Sequence, residues 1–314
     1  MAGEVDLKLG YIGIGLMGEP MTLRLLKAGR NVTVWNRSRE KLRSVIEAGA
    51  AEATSAADLA GRCDVVMMCL TDTKAVEHVV FGDEGIAAGA KPGSILVDFS
   101  SMDPDATRRL AERLRQGTGM GWIDAPVSGG VPGAREGTLA IMCGGDAQEV
   151  ESVRPVIAHM AQRFTHMGPS GAGQTTKLCN QVIVGCQLAA IAEAIRLAEA
   201  AGVDAARLPE ALKGGFADSI PLQLFAPRMA ARTFEPPLGH VHTMLKDLDN
   251  AGEAARQVGA PLPMASTARE LLRQTNLPIL DVAIATGFTS HSYFAQSYRL
   301  LFGRPPSEER RTTY

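Results

Sequence analysis

Excess charge of either sign is missing from this chain. Its 32 Lys and Arg against 34 Asp and Glu leave a formal net charge of −2 and a pI near 6.3. Neither nucleic acid nor an acidic membrane is expected as a partner, because both call for a strong basic field. Paired cysteine spacing is missing too. Cys63, Cys69, Cys143, Cys179 and Cys186 show no metal-ligand pattern, and four of the five lie in apolar surroundings, which suits reduced core thiols in a reducing compartment. The pair His240-Val-His242 has no third histidine or carboxylate at ligand spacing, so both are read as structural and no metal site is assigned. No apolar run reaches the ~18 residues of a membrane span, so no membrane partner is expected. Met1 to Lys8 carries acids and lacks an apolar signal core, which makes the expected location cytoplasmic.

What is present is an alternation. Strand patterns over Leu7–Gly13, Asn31–Trp35, Val65–Leu70, Ser94–Phe99, Trp122–Ala125 and Leu139–Cys143 are separated by helical ones, such as Asp103–Gln116 and Ala147–Met160. In Asp103-Pro104 the Asp suits an N-cap and the Pro a first helical position. Beyond a strand near Phe164–His166 the β signal fades. Ser170 is a candidate cap for a helix reaching Ala201, and shorter helices follow over about Asp204–Leu212, Pro221–Ala231, His242–Val258 and Pro263–Gln274. The expected fold class is α/β: a Rossmann-like, doubly wound parallel sheet, then an all-α C-terminal domain joined through a long helix. Residues 1–168 would form the dinucleotide domain and 169–303 the helical substrate and oligomerisation domain. Residues 304–314, Pro-rich and charged, are expected to be disordered.

The first strand runs into Gly13-Ile14-Gly15-Leu16-Met17-Gly18 and then a helix. A lone GxGxxG means little, but between strand and helix it reads as a dinucleotide cradle. Gly13 permits the tight turn, Gly15 lets the backbone approach a pyrophosphate, and Gly18 lets helix and strand pack closely. The second strand ends in Asn36-Arg37-Ser38, with Lys41 one turn on. An NAD site usually has an acid there. Asn36 has no charge to repel a 2′-phosphate, and Arg37, Ser38 and Lys41 offer partners for one, so NADP is favoured over NAD.

In Gly171-Ala-Gly-Gln-Thr-Thr-Lys177-Leu-Cys-Asn180-Gln181 a cation and two amides share one helical face at the mouth of an apolar helix. A half-buried lysine can serve as a proton donor; a plain surface lysine in a first turn is the alternative. The apolar stretch Val182–Ala198 exceeds what one small domain needs, which points to a homodimer or homotetramer.

Four blocks together resemble the β-hydroxyacid dehydrogenase family, the group of 3-hydroxyisobutyrate dehydrogenase, tartronate semialdehyde reductase and glyoxylate/succinic semialdehyde reductase. They are GIGLMGEPMTLRLLKAG from Gly13, DAPVSGGVPGAREGTLAIMCGG from Asp124, GAGQTTKLCNQ from Gly171 and MLKDL from Met244. The resemblance implies that Ser128, Gly129 and Gly130 hold a substrate carboxylate, which suits an anion nest with a hydroxyl beside it. It implies a catalytic Lys177 with Asn180 or Gln181 as its amide partner, and Lys246 near substrate and nicotinamide, oriented by Asp247. Leu70, Thr71 and Ser101 match positions that face the cofactor. Gln181 departs from the paired asparagines of many relatives, and the loop Ala285–Phe294 departs from their Gly-rich, acidic loop before the last helix. The implied activity is reduction of a small aldehyde acid, or oxidation of the matching hydroxy acid, by hydride transfer with a lysine acid/base. An imine reductase of the same fold and a non-catalytic scaffold are the competing readings; imine reductases usually carry Asp or Tyr where this chain has Lys177.

Overall fold

The computed structural model describes residues 7–233 and 241–273. The divergent loop at 285–294, the tail 304–314 and His240 lie outside the described residues, as does the side chain of His242. The chain divides into two compact units, Met1–Lys177 and Leu178–Tyr314.

Among the described residues the first unit is built on nine strands: β1 (Leu9–Ile12), β2 (Val32–Trp35), β3 (Ala51–Glu52), β4 (Val65–Met68), β5 (Ile95–Asp98), β6 (Gly121–Asp124), β7 (Val127–Ser128), β8 (Leu139–Gly144) and β9 (Ala161–Gly168). Their order is β3-β2-β1-β4-β5-β6-β8-β7, with β9 beside β8. From β3 to β6 every pairing is parallel, the doubly wound arrangement. The sheet is not parallel throughout: β8 runs antiparallel to both β6 and β7. The short returns through Val127–Ser128 and helix Gly130–Glu136 reverse the chain without a long crossover.

Alternation decides which core each strand side chain enters. Tyr11, Val34, Met67, Val97 and Ile123 face one apolar layer. Ile12, Val66, Met68, Leu96 and Trp122 face the other. With both faces covered, β1, β4, β5 and β6 are buried at every position, which is why they read as continuous apolar runs. Each such side chain removed from water contributes about 1.5–3 kcal/mol before chain entropy is counted.

The described part of the second unit is helical. Helix Ala172–Ala200 begins in the first unit and runs 29 residues, roughly 44 Å at about 1.5 Å per residue. Within the second unit Leu188, Ile191, Ala192, Ile195 and Ala198 form its buried stripe, at the three- and four-residue spacing of one helical face. They pack with Leu222, Ala226 and Met229 of helix Ile220–Ala231 and with Met244 and Leu248 of helix Val241–Gln257. By length and mean hydropathy, 1.5 over its most apolar window, Ala172–Ala200 could cross a membrane. The run-length expectation is corrected there, since a few spaced polar residues interrupt a run without lowering the average much. One prolonged apolar helix is weak evidence of a span, and this one starts in polar contacts to strand ends of the first unit.

Candidate active site

The glycine loop leaves β1 and enters helix Gly18–Lys27. Gly13 has φ +91°, and a Cβ there would lie 2.3 Å from the Cys69 carbonyl oxygen. A Cβ on Gly18 would lie 2.0 Å from the Gly13 oxygen. Both glycines are therefore demanded by the turn and the close packing. Gly15 differs: a Cβ on it would meet nothing, so the loop backbone is open where a pyrophosphate would approach. Met17 precedes the helix and no side chain caps its N-terminus, while Leu16 is exposed. These residues fit a dinucleotide phosphate, whose charge the uncapped N–H groups would receive.

Asn36 stands behind this loop. The Ile14 N–H donates to its Oδ1 at 2.9 Å, and its Nδ2 donates to the Ser38 carbonyl at 2.9 Å. Asn36 thus holds the cradle in shape with both ends of its amide. Among the described residues Arg37 and Lys41 have no ion-pair partner, whereas Arg39 and Arg43 are paired with Glu52 and Glu47. Lys41 lines a cleft of about 450 Å³ that begins at Ile14 and Gly15.

The strand ends carry a polar network that sequence reasoning missed. β5 and β6 finish in register on Asp98 and Asp124, both fully buried. Burial pushes the Asp98 carboxyl up to about 7, against N–H and hydroxyl bonds from Ser100 that pull it down. Burial likewise raises Asp124 to about 6, opposed by the backbone N–H groups it accepts from Gly171 and Gln174. Gln174, also buried, donates from Nε2 to the Ser100 carbonyl at 2.7 Å and accepts the Met102 N–H at 3.0 Å. The Ser100 hydroxyl in turn accepts the Leu70 N–H at 2.9 Å. Leu70 and Thr71 therefore lie in the loop after β4, whose last residue is Met68, and Ser101 follows Ser100 in the neighbouring loop. Two acids ending adjacent buried strands were the available signal.

Ser170 does not cap the long helix. Its Oγ is buried without a hydrogen-bond partner. Asp124 takes the role from another element, accepting the Gly171 N–H at 2.8 Å and the Gln174 N–H at 2.9 Å. One turn on, Lys177 donates from Nζ to the Val127 carbonyl at 2.9 Å. Val127 directly precedes Ser128, and Gly129 and Gly130 adopt φ +122° and +60°, backbone that favours glycine. The half-buried Lys177 thus lies against the segment that carries the proposed carboxylate grip.

In the second unit the two amides divide their work. Gln181 is buried; its Nε2 donates to Asp247 at 2.7 Å, and its Oε1 accepts from Asn180 at 2.8 Å. Asp247 was expected to orient Lys246, and the two form an ion pair at 3.8 Å; the shorter bond of Asp247 comes from Gln181, as a buried carboxylate requires a nearby donor. Cys179, on the same helix, is exposed, and Cys63 and Cys143 are buried.

Known proteins share the sequence and the fold of this chain. Residues 8–168 match the model of the NAD binding domain of 6-phosphogluconate dehydrogenase. Residues 171–279 match that of the NAD-binding domain of NADP-dependent 3-hydroxyisobutyrate dehydrogenase. A model described as a helix-turn-helix domain matches 262–312, mostly outside the described residues. The chain is 39% identical to 2-hydroxy-3-oxopropionate reductase of Escherichia coli over 84% of its own length and 90% of that protein's. It resembles the structure of Mycobacterium tuberculosis 3-hydroxyisobutyrate dehydrogenase with L-serine, with a TM-score of 0.81 and 30% identity over 90% of this chain and 99% of that one. An imine reductase from Pseudomonas sp. is more distant, with a TM-score of 0.61 and 21% identity over 88% of this chain and 98% of that one, so it shares the fold alone. This chain belongs to the β-hydroxyacid dehydrogenase family and is an NAD(P)-dependent oxidoreductase.

Proposed function

We propose that the protein is an NADP-dependent reductase of short aldehyde acids that also runs as a β-hydroxyacid dehydrogenase, with Lys177 as its acid/base. The observation that carries this reading is the Lys177 ammonium bonded to the Val127 carbonyl, beside Ser128-Gly129-Gly130. When bound, NADPH supplies the hydride. The Ser128 hydroxyl and the Gly129 and Gly130 N–H groups grip the substrate carboxylate. Lys177 stabilises the developing alkoxide and gives it a proton from Nζ. Asn180, its amide held by Gln181, contacts the substrate oxygen. Arg37 and Lys41, unlike Arg39 and Arg43, are uncommitted among the described residues, which supports a 2′-phosphate partner and hence NADP over NAD.

The test is a panel of 2-hydroxy-3-oxopropionate, glyoxylate, succinic semialdehyde and methylmalonate semialdehyde, plus a cyclic imine, assayed with NADPH and NADH. Reduction of an aldehyde acid with NADPH preferred is expected, with 2-hydroxy-3-oxopropionate fastest. Turnover of the imine alone, or of nothing, would overturn the reading.

A second reading concerns the C-terminal segment alone. The helix-turn-helix match over 262–312 covers the loop at which the chain departs from its family. We propose that this segment contacts duplex DNA. It holds six arginines against four acids; Arg269 and Arg273 pair with Asp249, and Arg299, Arg304, Arg310 and Arg311 follow in its last part. Fluorescence anisotropy with random-sequence duplex DNA should show binding that weakens steeply with salt; no binding at low salt would dismiss it.

A further inference from the structure

We propose that Asp124 is a positioning residue for Lys177, locking the ammonium and the carboxylate grip at one spacing. The proposal rests on the reading of Lys177 as the acid/base. A lysine on a long flexible stem is useful only where its backbone is held, and the start of a helix is its least constrained part. Here the first turn is tied down by a carboxylate on β6. Its two oxygens accept the Gly171 and Gln174 N–H groups at 2.8 and 2.9 Å. Three residues beyond Asp124 in the chain, Val127 accepts the Lys177 ammonium at 2.9 Å, and Ser128 follows. One short segment, 124–130, therefore holds the helix start, the ammonium and the grip.

The close approach is built for this purpose by glycines on both sides. A Cβ on Gly173 would lie 2.5 Å from the Asp124 carbonyl oxygen and 2.8 Å from its Oδ2. A Cβ on Gly144 would lie 2.7 Å from Asp124 Oδ1. Neither Gly173 nor Gly144 has a left-handed φ, so space and not backbone freedom selects glycine there. Gln174 adds a tie to the next strand end through Ser100 and Met102. Ser170, the local residue that could cap, leaves the N–H groups to Asp124. The helix start is thereby referenced to the strands, and not to its own preceding loop.

The experiment is a double-mutant cycle with the substrate from the panel that is turned over fastest. Asp124→Asn keeps the shape but replaces one accepting oxygen with an NH₂ that faces a helix N–H. It should lower kcat by about 10- to 100-fold through Lys177, with KM for the aldehyde acid changed less and the Kd for NADPH within about twofold of wild type. In a Lys177→Ala background the same substitution should lower kcat by less than about threefold, because residues that act as a unit are not additive. A full additional loss in that background marks a merely structural role and overturns the proposal. Unchanged kcat in Asp124→Asn, while Lys177→Ala is crippled, also overturns it. A near-normal Lys177→Ala instead overturns the reading of Lys177. If Asp124→Asn does not fold, hydrogen exchange on the wild-type protein decides: slow exchange of the Gly171 and Gln174 amides is expected, and rapid exchange overturns the cap.

Discussion

Lys177 donates its ammonium hydrogen bond to the carbonyl of Val127, 50 residues earlier in the chain, at 2.9 Å. The bond sets a proton donor one residue from Ser128. Replacing Lys177 with Ala should reduce kcat by about 10²- to 10⁴-fold, the usual worth of a general acid. NADPH affinity, measured by fluorescence titration, should change little, because the glycine cradle is built by separate residues. A variant with near-normal turnover would remove Lys177 from the chemistry.

Arg37 and Lys41 give a test of cofactor choice. A charge-assisted bond to phosphate is worth about 1.5–3 kcal/mol, so losing both cations should raise KM for NADPH by about tenfold or more. KM for NADH should stay within about twofold, since it has no 2′-phosphate. Equal effects on the two cofactors would show that these cations do not read that group.

Asp98 makes stability depend on pH. Burial lifts its carboxyl to about 7, above the ~3.9 of an unfolded chain. Between these values the folded protein holds a proton that the unfolded chain has lost. Stability is therefore greatest below about pH 4 for this group and falls as pH rises toward 7, by up to ~1.4 kcal/mol per pH unit. Asp98→Asn, neutral at every pH, should flatten that slope in urea unfolding curves. An unchanged slope would mean that Asp98 is ionised in the folded protein throughout.

Asp247 should matter for folding through Gln181. Asp247→Ala leaves the buried Gln181 NH₂ without its 2.7 Å acceptor, a loss of about 1–3 kcal/mol. The urea midpoint should fall at constant m. A shift below about 0.5 kcal/mol would show that the amide finds another partner.

The second unit leaves Ile183, Leu197, Phe216, Ile220 and Leu224 exposed. A homodimer or homotetramer covering that apolar surface is expected by light scattering at micromolar concentration. A monomer at that concentration would rule it out.

Much of this molecule was readable without coordinates. Strands buried on both faces announce themselves as short apolar runs, and Asp103-Pro104 does begin a helix, with the Ala106 N–H on the Asp103 side chain. The glycine loop was legible because it is a contiguous motif whose turn and close packing depend on local spacing. β3, with two residues, and the brief helices at Arg43–Glu47 and Ile86–Gly89 were not, because so few residues carry no period. Serine before the long helix was a reasonable cap by the local rule, and the rule lost to Asp124. That carboxylate is 47 residues away from Gly171, and Asp247 is 66 away from Gln181. Sequence alone determined the two-part architecture and the glycine loop between strand and helix, both set by adjacency and periodicity. Only the tertiary structure decided which side chains hold others in place, because a buried polar group takes whichever partner the packed chain brings within about 3 Å, and that partner can lie anywhere along the sequence.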